Sequence, residues 1–352
     1  MSHVSMIQQN LGELDALFLT DPITIRYASG FAITDGAAVI ARDRAWFITD
    51  SRYVEAAQSA VQDMEVVCVS REKPLRTWVR ELLSSVGPAV GAEEDRLSHA
   101  QWNAYEEDLG IALRPAAHII SGLRAVKDAG EIELAEKAQR IAEKALDEVL
   151  GIIRPGLTEK QVAAELVYRM YKYGGEANSF DPIVVTGAKT SMPHGVPGDV
   201  VIAEGDFVTM DFGTMYGGYC SDMTRTVAVG RASREMRDIY AIVLEAQLAG
   251  IAAAKAGVPG SEIDGAARRV IEKAGYGPYF GHGFGHSLGL EIHEAPNANT
   301  INNEPMPLGA FISAEPGIYL PGRFGVRIED TMWLREDHAQ VITKAPKELI
   351  IL

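Results

Sequence analysis

Over residues 1–120, short apolar runs alternate with amphipathic stretches. Residues 15–20, 36–41, 45–50, 65–70 and the run near Val90 read as strands, while 52–61, 75–86 and 100–109 have helical spacing. Strands alternating with helices predict an α/β layer on a mixed sheet. Beyond Asp128 the pattern changes. From Glu131 to Ile153 apolar positions recur at three- and four-residue steps, as one buried helix face requires. The change places a boundary near residue 123 and predicts two domains, 1–123 and 124–352.

The second domain carries a degenerate repeat. A first long helix is followed by PGLTEKQVAAEL from Pro155; a second, over 233–254, is followed by PGSEIDGAA from Pro259. In each, Pro-Gly leads to a hydroxyl residue with a polar residue three positions on, Thr158 with Gln161 and Ser261 with Asp264. That is capping-box spacing, in which side chains satisfy the free N–H groups of a new first turn. Paired alanines follow at matching positions, 163–164 and 266–267. The reading is two helix–helix–sheet halves packed face to face, with a cleft where the sheets meet.

Three strand-like segments of this domain carry acids among apolar residues. FVTMDFGTMYGGYCSDMTRT, from Phe207, has a Gly217-Gly218 turn, so a hairpin can bring Asp211 and Asp222 to one side of a sheet. FISAEPGIYL holds Glu315, and GVRIEDTMWL holds Glu329. Carboxylates gathered in apolar surroundings repel one another unless a cation neutralises them. Histidines lie nearby in sequence motifs: His282, His286 and His293 in GHGFGHSLGLEIHEAP, and His194 in SMPHGVPGD. Four carboxylates and an imidazole suit two hard or borderline divalent cations such as Mn²⁺ or Co²⁺, which can acidify a shared water. Calcium wants more oxygen ligands.

Nearby motifs fail on inspection. MDFG at Met210 has no HRD partner, GHGFGH lacks the third glycine of a dinucleotide loop, GAKTS lacks the first glycine of a P-loop, and His293-Glu294 has no second histidine at HExxH spacing.

Composition narrows the functional classes. The 352 residues include 33 basic and 48 acidic side chains, a net charge of −15. Such a chain repels nucleic acid and anionic lipid, so neither is expected as a partner. Cys68 and Cys220 form no CxxC pair, which excludes a thiolate metal site and makes a reducing compartment the default. The first basic residue is Arg26, and no apolar run reaches the roughly 20 residues of a membrane span. A cytoplasmic protein is the expectation.

With these residues in place, the chain resembles the metallopeptidases that include Xaa-Pro dipeptidase (prolidase), Xaa-Pro aminopeptidase and methionine aminopeptidase. LDALFLTDPITIRYASGF, TDGAAVIARDRAWFITDSRY and LRAVKDAGEIELAEKA look like the creatinase-type N-terminal domain and catalytic entry of the Xaa-Pro branch. The resemblance implies an α+β pita-bread catalytic domain preceded by a smaller creatinase-like α/β domain. It implies that Asp211, Asp222, His286, Glu315 and Glu329 are metal ligands, with Asp222 and Glu329 touching both metals. It further implies that His194 and His293 contact substrate, and that Glu315 shuttles a proton. Two divalent ions are implied, Mn²⁺ first, with Co²⁺, Fe²⁺ and Zn²⁺ as alternatives. Short proline-containing peptides would be the substrates, and a homodimer the assembly. His282 is a candidate pocket residue.

Some positions depart from the pattern. GAKTSMPHG stands where relatives often carry Asn-Ser and Leu, and Asn297 follows HEAP where some dipeptidases have a basic residue. Arg323 or Arg327 could hold a dipeptide's carboxylate instead. The alternatives are a same-fold aminopeptidase with another N-terminal preference, and a non-catalytic binding protein on this fold. The family's metal-free creatinase is disfavoured because all five ligand positions are filled.

Overall fold

Apolar side chains cover both faces of the strands Ala16–Leu19, Ala37–Ala41 and Ala45–Thr49, which explains their unbroken hydrophobic runs. They belong to a six-stranded sheet in the first of two units, Met1–Arg124, of the computed structural model, which describes residues 1–352. The sheet order is Glu65–Cys68, Ala45–Thr49, Ala37–Ala41, Ala16–Leu19, Val90–Ala92, Arg114–Pro115. Ala37–Ala41 runs antiparallel to both neighbours, and the outer pairings are parallel, so the sheet is mixed as expected. The helices Val54–Ala60, Leu75–Val86 and His99–Leu109 fall where the spacing placed them. Three more, His3–Gln9, Pro22–Ser29 and Ala117–Arg124, were not foreseen. At Thr24 the hydroxyl donates to Glu93 Oε2 at 2.9 Å. Burial pushes the Glu93 carboxyl up to about 8.

In the second unit, Ala125–Leu352, the first long helix is Ala129–Leu150. It starts two residues before the apolar periodicity because Asp128 and Glu131 form a capping box. Thr158 and Gln161 cap Glu159–Lys172 as predicted. The second half differs. Gly260–Lys273 begins after Pro259, with no side-chain cap bond, and Ser261 lies inside the first turn, donating to Asn303 Oδ1. Asp264 pairs with Arg268 and accepts the Phe284 N–H. The repeat therefore holds for the helices but not for the second cap.

Each helix pair covers its own sheet. Ala129–Leu150 and Glu159–Lys172 pack on Val184, Val208, Met210, Phe212, Met223 and Val227, from the sheet of Ile183–Thr186, Phe207–Phe212 and Met223–Ala228. Arg234–Ala253 and Gly260–Lys273 pack on Ile312, Ala314, Ile318, Val326, Met332 and Leu334, from the strands around Phe311–Ala314 and Asp330–Leu334. Each such side chain contributes about 1.5–3 kcal/mol of burial. The opposite faces of both sheets are left for polar groups.

The halves are also locked together by Arg225. Its buried guanidinium donates to Thr224 O, Glu329 O, Asp330 Oδ1, Ala345 O and Pro346 O at 2.6–2.9 Å. These use its full set of five N–H donors. Segment 345–352 is thereby tied to the centre, and Ala228 pairs with Ile351.

Candidate metal centre and active site

Strand alternation aims the acids. In Phe207–Phe212, Val208, Met210 and Phe212 enter the helix-covered core, so Thr209 and Asp211 face the other way. Asp211 pairs in register with Thr224, which puts Thr224 and Thr226 on the same face. Asp222 continues that parity, one residue before Met223–Ala228. The predicted hairpin is present, with Gly217 and Gly218 at φ +58° and +84°, values that suit glycine at a tight turn. Gly213 is forced by closeness: a Cβ there would lie 1.9 Å from Ser221 O.

The other half repeats the logic. Ile312 and Ala314 enter the core, while Ser313 and Glu315 face out. Val326 and Ile328 enter the core, while Arg327 and Glu329 face out. His286 comes from Gly285–Ser287, and its backbone N–H donates to Ser313 Oγ at 3.0 Å. Ser313 Oγ in turn donates to Glu315 Oε1 at 3.1 Å. Glu329 accepts Thr224 Oγ1–H at 2.7 Å, and its N–H donates to Thr224 O across the halves.

The five predicted ligands converge on one cavity of about 550 Å³. His286 Nε2 lies 3.5 Å from Asp222 Oδ2 and 3.4 Å from Glu315 Oε1. Donor atoms of Asp222, His286 and Glu329 all fall within 4.8 Å of one another. The His286 Nδ1 meets the Ser287 carbonyl at 3.2 Å, which as a donor leaves Nε2 with its lone pair toward the acids.

Burial, then Asp211 and Glu315, push the Asp222 carboxyl well above its ordinary value. Burial, then Asp222 and Glu315, do the same for Glu329, and burial also raises Glu315. Burial lowers His286, His282 and His293. Asp211 Oδ1, Asp222 Oδ1 and Glu329 Oε1 are buried with no hydrogen-bond partner in the chain. Leaving three such oxygens unpaired is costly. Oxygen and imidazole donors arranged in this way fit divalent cations.

His194 and His293 are exposed residues at the lining of the same cavity, and the His293 ring lies 4.4 Å from that of His286. His282 also lines it. Its Nε2 shares a hydrogen bond with Tyr319 Oη at 2.9 Å. Tyr319 was not anticipated as a site residue, although it sits two strand positions beyond Gly317 in the segment that carries Glu315.

The two arginines separate sharply. Arg323 lies on the surface, paired with Glu235, and does not line the cavity. Arg327 lines it but is engaged throughout. Its Nη2 meets Asp211 Oδ2 at 2.6 Å, its Nε donates to Thr224 Oγ1 at 3.0 Å, and its Nη1 donates to Tyr319 Oη at 3.0 Å. It ties Asp211 to Thr224 and Tyr319.

Known proteins resemble this chain over most of its length. The model of metallopeptidase family M24 matches residues 133–336, and that of the creatinase/prolidase N-terminal domain matches residues 7–126. The chain is 36% identical to the Xaa-Pro dipeptidase of Pyrococcus furiosus over 340 residues, 96% of this chain and 95% of that protein. Among solved structures, the Xaa-Pro dipeptidase from Bacillus anthracis is 41% identical with a TM-score of 0.95, covering 99% of each chain. The X-Pro aminopeptidase from Thermotoga maritima is 35% identical with a TM-score of 0.93, covering 98% of this chain and 99% of that one. A two-domain metallopeptidase is the class that this fold and site define. The chain belongs to metallopeptidase family M24: it is a hydrolase with a pita-bread catalytic domain that uses divalent metal ions, preceded in sequence by a creatinase/prolidase N-terminal domain. No helix is long and apolar enough to cross a membrane.

Proposed function

We propose that this enzyme hydrolyses the Xaa-Pro bond at the N-terminus of short peptides, with two divalent ions, Mn²⁺ first, held by Asp211, Asp222, His286, Glu315 and Glu329. The observation that carries the reading is the set of three buried, unpartnered carboxylate oxygens beside His286, in a chain of this family. When bound, the ions supply Lewis acidity, which lowers the pKa of the attacking water and polarises the scissile carbonyl.

The chain's own residues do the rest. Arg327 and Thr224 orient Asp211 and Glu329. Glu315, held by Ser313, takes the proton from the attacking water and passes it to the proline nitrogen, which needs one because an Xaa-Pro amide has no N–H. His293 and His194 donate toward the oxygen that becomes negative as the carbonyl carbon turns tetrahedral. Phe180, Ile183, Ile292 and Val196 give the cavity apolar walls suited to a pyrrolidine ring.

Arg327 is the only lysine or arginine in the lining, and its guanidinium is spent on Asp211, Thr224 and Tyr319. That favours peptides that continue beyond proline over free dipeptides, whose carboxylate would find no free cation among the lining Lys or Arg side chains. The working form is taken to be a cytoplasmic homodimer, as in the family resemblance; light scattering separates one chain from two. The test of function is an add-back panel. Chelator-stripped protein is given Mn²⁺, Co²⁺ or Zn²⁺ and assayed on Ala-Pro, Ala-Pro-Ala and Ala-Ala-Ala. Metal-dependent cleavage of Ala-Pro-Ala is expected, with Ala-Pro slower. Cleavage of Ala-Ala-Ala alone removes the proline specificity, and cleavage confined to Ala-Pro overturns the preferred substrate length.

A further inference from the structure

We propose that Glu159 and Lys189 are positioning residues for catalysis: a buried carboxylate and a partly exposed ammonium that together pin the loop carrying His194 at both ends and across its middle. The inference rests on the role given to His194 above.

Glu159 opens the helix Glu159–Lys172 and is fully buried. Its Oε1 accepts the Thr186 N–H at 2.9 Å, where the loop leaves the strand Ile183–Thr186. Its Oε2 accepts the Gly198 N–H at 2.8 Å, where the loop ends. One carboxylate thus closes residues 186–198 into a ring. The same Oε2 takes the Lys189 ammonium at 2.6 Å, and that ammonium also donates to Val196 O at 2.6 Å. Lys189 therefore spans the loop and fixes the backbone two residues beyond His194.

His194 needs such help. It is exposed, and its imidazole makes no hydrogen bond within the chain, so backbone placement alone aims it into the cavity. Val196 at the tip is 76% exposed and cannot anchor the loop by burial. Gly195 provides a close approach below His194: a Cβ there would lie 2.7 Å from Val185 Cγ1. Charge-assisted bonds to backbone groups are among the strongest fixings available to a loop that lacks a core of its own. A pair serving only the fold would show its effect as lost stability, because removing one partner leaves the buried Glu159 charge uncompensated. A pair that positions His194 shows it in turnover, because a displacement near 1 Å costs about 10²-fold.

The test is a double-mutant cycle on the metal-loaded full chain with Ala-Pro-Ala, comparing wild type, Lys189→Met, His194→Ala and the double variant. Lys189→Met is expected to lower kcat about 10-fold or more at unchanged metal content. In the His194→Ala background the same change should cost less than about 2-fold, since the two residues act through one group. Lys189→Arg, which can still reach both acceptors, should recover most of the loss. If the unpaired Glu159 carboxylate prevents Lys189→Met from folding, Glu159→Gln/Lys189→Met removes both charges and carries the same cycle. Equal losses in the two backgrounds, no loss in the wild-type background, or a loss that tracks metal content overturns the inference. An inactive, metal-replete wild type overturns the functional reading itself, and the inference with it.

Discussion

Removing the metal should make the protein's stability fall as pH rises. In the stripped protein Asp222, Glu329 and Glu315 are held above their ordinary values of 3.8 and 4.5, first by burial, to which neighbouring carboxylates add for Asp222 and Glu329. The folded state then binds more protons than the unfolded state, so their contribution is complete below the unfolded carboxyl values and is lost as pH climbs toward the raised folded ones. Each proton retained on folding gives a slope of about 1.4 kcal/mol per pH unit. For a unit of this size, 1 kcal/mol moves Tm by about 2–4 °C, so one retained proton lowers Tm by about 3–6 °C per pH unit. His282, His286 and His293 are held below 6.5 and act in the opposite sense under that pH, so the window to read opens at 6.5. Metal binding requires the deprotonated carboxylates and releases their protons. The gap in Tm between Mn²⁺-loaded and chelator-treated protein should therefore widen across the window. Differential scanning calorimetry at fixed ionic strength and free Mn²⁺ measures it; a gap that stays constant or narrows refutes the reasoning.

Other outcomes follow from single contacts. Glu329→Gln should lose metal and activity together in an elemental assay, whereas His293→Ala should keep its metal and lose about 10²–10³-fold in kcat, the range for one oxyanion donor; full turnover in His293→Ala removes its assigned role. Gly285→Ala puts a Cβ 2.0 Å from Ser313 O, between the strands that carry His286 and Glu315, so denaturant titration should show about 1–3 kcal/mol of lost stability alongside reduced metal content. In the first unit, Glu93→Gln keeps an acceptor for Thr24 but cannot ionise. Because the folded Glu93 carboxyl lies near about 8, it destabilises progressively as pH rises from 4.5 through 8, so the variant should gain most over wild type at the upper end. An unfolding difference that is flat with pH removes that account.

Sequence carried the site further than it carried the scaffold's joints. The helix Leu75–Val86 was readable from end to end because its apolar face repeats over three turns. Asp211, Asp222, Glu315 and Glu329 were conspicuous because alternation predicts apolar or solvent-facing residues, and an acid amid Val, Ile and Phe breaks that expectation. Helices His3–Gln9 and Ala117–Arg124 are too short to display a period. Pro22–Ser29 did leave a local mark, with Asp21 capping, Pro22 at the first turn and Gly30 in the left-handed region at φ +71°. Arg323 and Arg327 could not be told apart, because what separates them is a turn that sends one to Glu235 and a strand that sends the other to Asp211. The Ser261 cap failed because Pro259, bridged to Pro305, starts the helix earlier. Glu159 and Lys189 gave no signal, since they meet each other and their backbone partners only once the loop has closed.

The Arg225 cluster has a consequence in time. Its guanidinium binds the carbonyls of Ala345 and Pro346, more than a hundred residues beyond it in the chain, and also Glu329 O beside the acids. A ribosome releases residues 345–346 after every acid and histidine of the site. Until then two of the five guanidinium donors stay open. The nascent chain thus carries every acid and histidine of the site before the Arg225 cluster can be completed.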